Sequence, residues 1–127
     1  MGAVRDHDLY GHCVMQSWLA ARLVVDTGMN ALGWSLARAR AFMLEHTMET
    51  PAVIDAELLR YATDIPAQAL AYDLGKRRIL DERARVRAAL GPAFDIRAFH
   101  DAALEVGGLP LPVLTGRIDE LIGQGRP

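Results

Sequence analysis

Within Ile65 to Leu90, IPAQALAYDLGKRRILDERARVRAAL, helical spacing sets Gln68 and Tyr72 one turn apart, at the head of a stripe that continues through Gly75, Ile79, Val86 and Leu90. The opposite side carries Lys76, Arg77, Arg78, Asp81, Arg85 and Arg87. A stripe that is aliphatic over most of its length and ends in an amide and a phenol suggests a helix passing from a core into a cavity or cleft. Arg22 and Asp26 form a second polar pair, four residues apart in the apolar half of DLYGHCVMQSWLAARLVVDT, so they share a helix face and can pair with each other. Two readings stand for them. One is an ion pair that holds its helix in place; the other is an arginine in apolar surroundings that grips a carboxylate, such as a substrate's end, through two hydrogen bonds.

Other chemistries fail on spacing or count. His7, His12, His46 and His100 never stand four apart, and no H-E-x-x-H occurs, so no helix face offers two imidazoles to zinc. His12 and Cys13 are adjacent and point to different faces, which does not suit a nucleophile and its base. The glycines form neither a phosphate-cradling loop nor a dinucleotide fingerprint. KRRILDERARVR carries a net +4, but without interleaved aromatic residues such a run reads as a solvated face rather than a nucleic-acid site.

The elements that must position these residues are helical. The first runs from about Asp8 to Thr27 with Gly28 as its stop, followed by a turn, GMNALGW. Ser35 starts a second helix with Leu36, Ala39, Phe42 and Met43 on one face and His46 at its end, where partial positive charge is favourable. Thr50 and Pro51 read as the cap and first residue of a third, with Val53 or Ile54, Leu58 and Tyr61 inward. The central helix follows, with Pro66 at its first position. Asp95 then caps a fifth helix with Ile96, Phe99 and Ala103 inward, closed by Gly107 and Gly108. A last helix in LPLPVLTGRIDELIG presents Val113, Leu114, Ile118, Leu121 and Ile122. No run alternates as a strand would, so the expected fold is all-α, about six helices in an irregular bundle.

At 127 residues one domain, 1–127, suffices, and a chain of that size buries roughly two thirds of its unfolded surface. Apolar residues are 51% but aromatic ones only 6%, a mix that favours packed helices, and the slightly positive mean hydropathy hints at apolar surface meant for a partner or for missing sequence. Fourteen basic residues against sixteen acidic leave −2, and no global field draws the chain to nucleic acid or anionic lipid. A lone cysteine, Cys13, excludes an internal disulfide and a paired-thiol metal site. The amino terminus lacks an apolar signal segment, and no stretch has the length of a membrane span, so a cytoplasmic chain is expected.

Three stretches together resemble the carboxyl-terminal portion of the bacterial domain-of-unknown-function family 885: ARLVVDTGMNALGW, RYATDIPAQALAYDLGK and LGPAFDIRAFHDAALEVGGLPLPVL. The match runs in register from about Leu9 to Ile122. The resemblance implies part of a helical zincin-like metallopeptidase whose H-E-x-x-H helix and zinc lie upstream of the matched region, so no cofactor is expected in this chain itself. By the same resemblance Tyr72 would hydrogen-bond the tetrahedral oxyanion and Gln68 would position a peptide substrate. Arg22 would bind a carboxylate or brace the cleft, with Asp26 orienting it, and His100 would cap or pack. The chain departs from the family pattern at Asn30, where a His is usual, at Ala67, where a Gly is usual, and at Asp73, where a Lys is common. The expected partner is an upstream zinc-bearing half, which would complete an activity the chain lacks alone. The alternative is a free-standing, non-catalytic helical protein that self-associates or binds a partner through the surface its other half would cover.

Overall fold

A computed structural model describes residues 5–125, and among them the chain is all-α, with no strand. Six helices follow in order: α1 (Asp6–Leu32), α2 (Leu36–His46), α3 (Pro51–Thr63), α4 (Leu70–Leu90), α5 (Ile96–Leu104) and α6 (Leu111–Gln124), with a short 3-10 turn at Gly91–Ala93. Residues 1–4, which enter the expectation of no signal segment, lie outside the described residues. No described helix is long and apolar enough to cross a membrane.

The chain divides into two compact units, with the boundary between Asp73 and Leu74 near the start of α4. In the first, α1 packs against α2 and α3, and α2 against α3. Val25, Ala39, Met43, Ile54, Leu58, Tyr61 and Ala69 make its core. Burying a side chain of the size of Ile54 or Leu58 contributes roughly 1.5–3 kcal/mol. In the second, α5 packs against α6, and Val86, Phe99, Leu114, Ile118 and Ile122 form the core.

Local signals explain most helix starts. The Ser35 hydroxyl accepts from the Arg38 amide, Thr50 accepts from Val53 ahead of Pro51, and Asp95 accepts from Arg97, each satisfying an otherwise orphaned N–H. Inner faces follow the 3.6-residue period, with Leu114, Ile118 and Ile122 buried on α6. Leu36, Ile96 and Val113 are exposed instead: Leu36 and Ile96 are the opening residues of α2 and α5, and Val113 stands one position off the buried row of α6. Along α4 only Glu82 and Val86 are buried, whereas Ile79 of the expected stripe is exposed.

Two boundaries differ from expectation for physical reasons. α1 does not stop at Gly28 but runs four residues further, to Leu32, where Gly33 closes it in the left-handed region at φ 68°. Gly28 serves close approach rather than termination. A Cβ there would lie 2.6 Å from Cδ2 of Trp34, whose N–H returns to the Gly28 carbonyl at 2.9 Å. The second boundary is the start of α4, at Leu70 rather than Pro66. Residues 65–69 form turns in which Ala67 holds φ 70°, a conformation that costs an L-residue roughly 1–2 kcal/mol.

Ala67→Gly should therefore stabilise the protein by about 0.5 kcal/mol, the relieved strain less roughly 0.5–1 kcal/mol of added unfolded-state entropy. A higher urea midpoint at unchanged m-value is the expected readout, and a lower midpoint would show that the turn tolerates Ala67 without strain.

Candidate functional site

The site is built in the first unit, where α1 meets α3 and the turn before α4. Arg22, two thirds of the way along α1, is 8% exposed, and its charge is compensated by groups distant in sequence. Its Nε donates to the Tyr61 hydroxyl, which donates in turn to Oε2 of Glu57 at 2.8 Å. The same Glu57 oxygen lies 3.3 Å from Arg22 Nε, and Arg60 holds the other Glu57 oxygen. Three rings surround the guanidinium, with centres 5.1 Å away for Tyr72, 5.7 Å for Tyr61 and 5.8 Å for Trp18.

Arg22 also reaches the expected Gln68–Tyr72 pair, and the direction of its bond fixes the chemistry there. Its Nη2 donates to Gln68 Oε1 at 3.2 Å, and Gln68 Nε2 donates to the Tyr72 hydroxyl at 3.0 Å. A guanidinium has no acceptor, so Gln68 must present its oxygen to Arg22 and its NH2 to Tyr72. The Tyr72 oxygen is then the acceptor, and its own proton remains to be donated elsewhere. With 43% of Tyr72 exposed, that proton is available to a ligand.

The electrostatics agree. The hydrogen bond from Gln68, and after it Arg22, favour the phenolate and pull the Tyr72 pKa below its usual value. Burial pushes Tyr61 the other way, up to about 12. Burial opposes the Arg22 charge, but Tyr61 and then Glu57 outweigh it and raise the pKa, so Arg22 stays a cation. Tyr61 holds its proton while the unfolded chain loses its own near pH 10. Folding stability should therefore be intact below pH 10 and decline between about pH 10 and 12, by at most about 1.4 kcal/mol per unit. An ultraviolet titration should show Tyr72 ionising before Tyr61, with each component removed by the matching Tyr→Phe substitution. The reverse order would contradict the bond directions above.

Asp26 departs from expectation. It does not pair with Arg22: its oxygens are taken up by the neighbouring N–H donors of Asn30, Ala67 and Ala69, while the guanidinium is directed to Tyr61, Glu57 and Gln68. Oδ1 accepts from the Ala67 amide at 2.9 Å and from Asn30 Nδ2 at 2.9 Å, and Oδ2 accepts from the Ala69 amide at 3.1 Å. Fully buried, Asp26 pins the strained turn that carries Gln68 and leads into Tyr72. Two of the Arg22 nitrogens are engaged, Nε by Tyr61 and Nη2 by Gln68. Asn30, in the GMNALGW stretch, ties Asp26 to α3 through the Tyr61 carbonyl at 3.3 Å.

The site thus brings together Arg22, Gln68 and Tyr72, with Asp26 beneath them. Sequence reasoning missed Glu57 and Trp18 and gave Tyr61 a packing role only. The four-residue spacing of Glu57 and Tyr61 on α3 was the available signal. His100 stays apart, in the second unit, its ring 5.9 Å from that of Phe99. Among the described residues no group of three or more His, Cys, Asp or Glu side chains could hold a metal ion.

The description "Bacterial protein of unknown function (DUF885)" matches residues 1–118, nearly the whole chain. The chain belongs to this family. Among solved structures, the chain is similar to a crystal structure of a protein from Colwellia psychrerythraea, provisionally described as a lipoprotein. It matches at TM-score 0.86 and 34% identity over 94% of this chain. The DUF885 chain described above spans 21% of that protein's length. No curated protein matches the sequence.

Proposed function

We propose that this DUF885 chain supplies the substrate-facing side of the catalytic cleft of a zincin-like peptidase, with Tyr72 as an oxyanion donor. The observation that carries the reading is the free phenolic proton. Arg22 forces the Gln68 amide to donate to Tyr72, so the exposed hydroxyl keeps its own proton for a further acceptor. An O–H held in a fixed direction beside a cationic guanidinium suits a peptide carbonyl whose oxygen gains negative charge as it becomes tetrahedral. Gln68 and Arg22 set the direction of that donor, and Asp26 sets the backbone that carries it. Among the described residues no cluster of His, Cys, Asp or Glu suits a resident zinc ion, and in this reading its ligands come from other polypeptide. The match to only a fifth of a longer relative supports such a division of the site.

Mixing the chain with an upstream family fragment that carries H-E-x-x-H tests the proposal. Association of the two and zinc-dependent hydrolysis of peptides, absent from either alone, is the expected outcome. Failure of the two to associate, with the chain self-associating instead, would favour a free-standing, non-catalytic helical protein.

A further inference from the structure

The second unit holds a cavity of about 430 Å³, open to solvent and lined by Arg83, Arg87, Phe94, Asp95 and Ile96. Its cations are the ones on α4 that the fold leaves uncompensated. Arg78 and Arg85 both engage the buried Glu82, at 3.0 and 2.7 Å, and Arg85 also reaches Asp119 at 2.6 Å. No carboxylate of the described residues lies within 4.0 Å of Arg83 or Arg87, and the contact found for Arg87 is the Phe94 ring at 5.8 Å. One helical turn apart, the two guanidinium groups face a single cavity and repel each other.

We infer that this cavity binds a monocarboxylate with an aromatic or aliphatic body. The paired arginines offer planar donors matched to a carboxylate. Asp95 sets the charge class. Its Oδ1 caps α5 by accepting from the Arg97 amide at 2.9 Å, which holds the carboxylate group in the wall. Two cations and one anion leave a net +1, which a monoanion neutralises and a phosphate dianion exceeds. Phe94 and the 38% exposed Ile96 supply an apolar wall for the ligand's body.

The site shares no residue with the Arg22–Gln68–Tyr72 cluster, so its test is independent of the peptidase reading. N-acetylphenylalanine, its carboxamide and phenyl phosphate are titrated separately into the isotope-labelled full chain and followed by NMR. The carboxylate should saturate shifts at Arg83, Arg87, Phe94 and Ile96, with the amide and the phosphate weaker by on the order of tenfold each. Arg83→Gln/Arg87→Gln should weaken the carboxylate to the level of the amide while the shifts of the first unit stay in place. Equal binding of acid and amide, preference for the phosphate, or no saturable shift at these residues would overturn the proposal. The ligand comparison decides the matter even if the double variant fails to fold.

Discussion

Asp26→Asn should lower folding stability by about 3 kcal/mol, a large fraction of what a domain of this size possesses. The carboxylate is fully buried and accepts three N–H groups, from Asn30, Ala67 and Ala69. Asparagine keeps one acceptor oxygen and turns an NH2 toward a backbone amide, so a donor faces a donor in a space closed to water. The turn that must then relax contains Ala67 at φ 70° and has little slack. A urea titration should show the midpoint falling at constant m-value. A loss below about 1 kcal/mol would mean that the amides of Ala67 and Ala69 find other partners.

Arg22→Met should cost about 2 kcal/mol, through groups other than Asp26. Tyr61 and Gln68 each lose a donor, while Glu57 retains Arg60 and the Tyr61 hydroxyl. Methionine fills the volume between the three rings, so little of the effect is cavity formation. Lysine should rescue poorly, because one ammonium cannot reproduce the fork that meets Tyr61 and Gln68 together. The costs of Arg22→Met and Asp26→Asn should nearly add in the double variant. Strong sub-additivity would restore a direct Arg22–Asp26 pair.

Much of the fold was legible because its signals are local. Ser35, Thr50 with Pro51, and Asp95 announce helix starts through hydrogen bonds that span two or three residues, and the apolar period of α6 names its buried row. What was not legible depends on the partner across the fold. Arg22 meets Tyr61 and Gln68, 39 and 46 residues away, and nothing within α1 distinguishes those partners from Asp26 four residues on. Gly28 shows the same ambiguity, since a helix stop and a close approach by Trp34 both call for glycine. The left-handed Ala67 is invisible because alanine signals helix, and the pull of the Asp26 carboxylate on two amides overrides that propensity. Glu82 stands in a strongly charged run and reads as solvated, yet its position one turn before Val86 puts it on the buried row, where Arg78, Arg85 and Thr115 hold it.

The candidate site was legible as residue types and illegible as directions. Gln68 and Tyr72 stand one turn apart in the sequence, but only the acceptor-free guanidinium of Arg22 decides which of them donates. Tyr72→Phe, which removes one oxygen and leaves the ring over Arg22, isolates that direction. In a reconstituted peptidase, kcat and KM for Tyr72→Phe beside the unaltered chain report whether the Tyr72 hydroxyl donates to the oxyanion. A kcat lower by roughly 10²–10³ with KM little changed is the expected result, as for a bond made only in the transition state. An unchanged kcat, or a loss confined to KM, would contradict it.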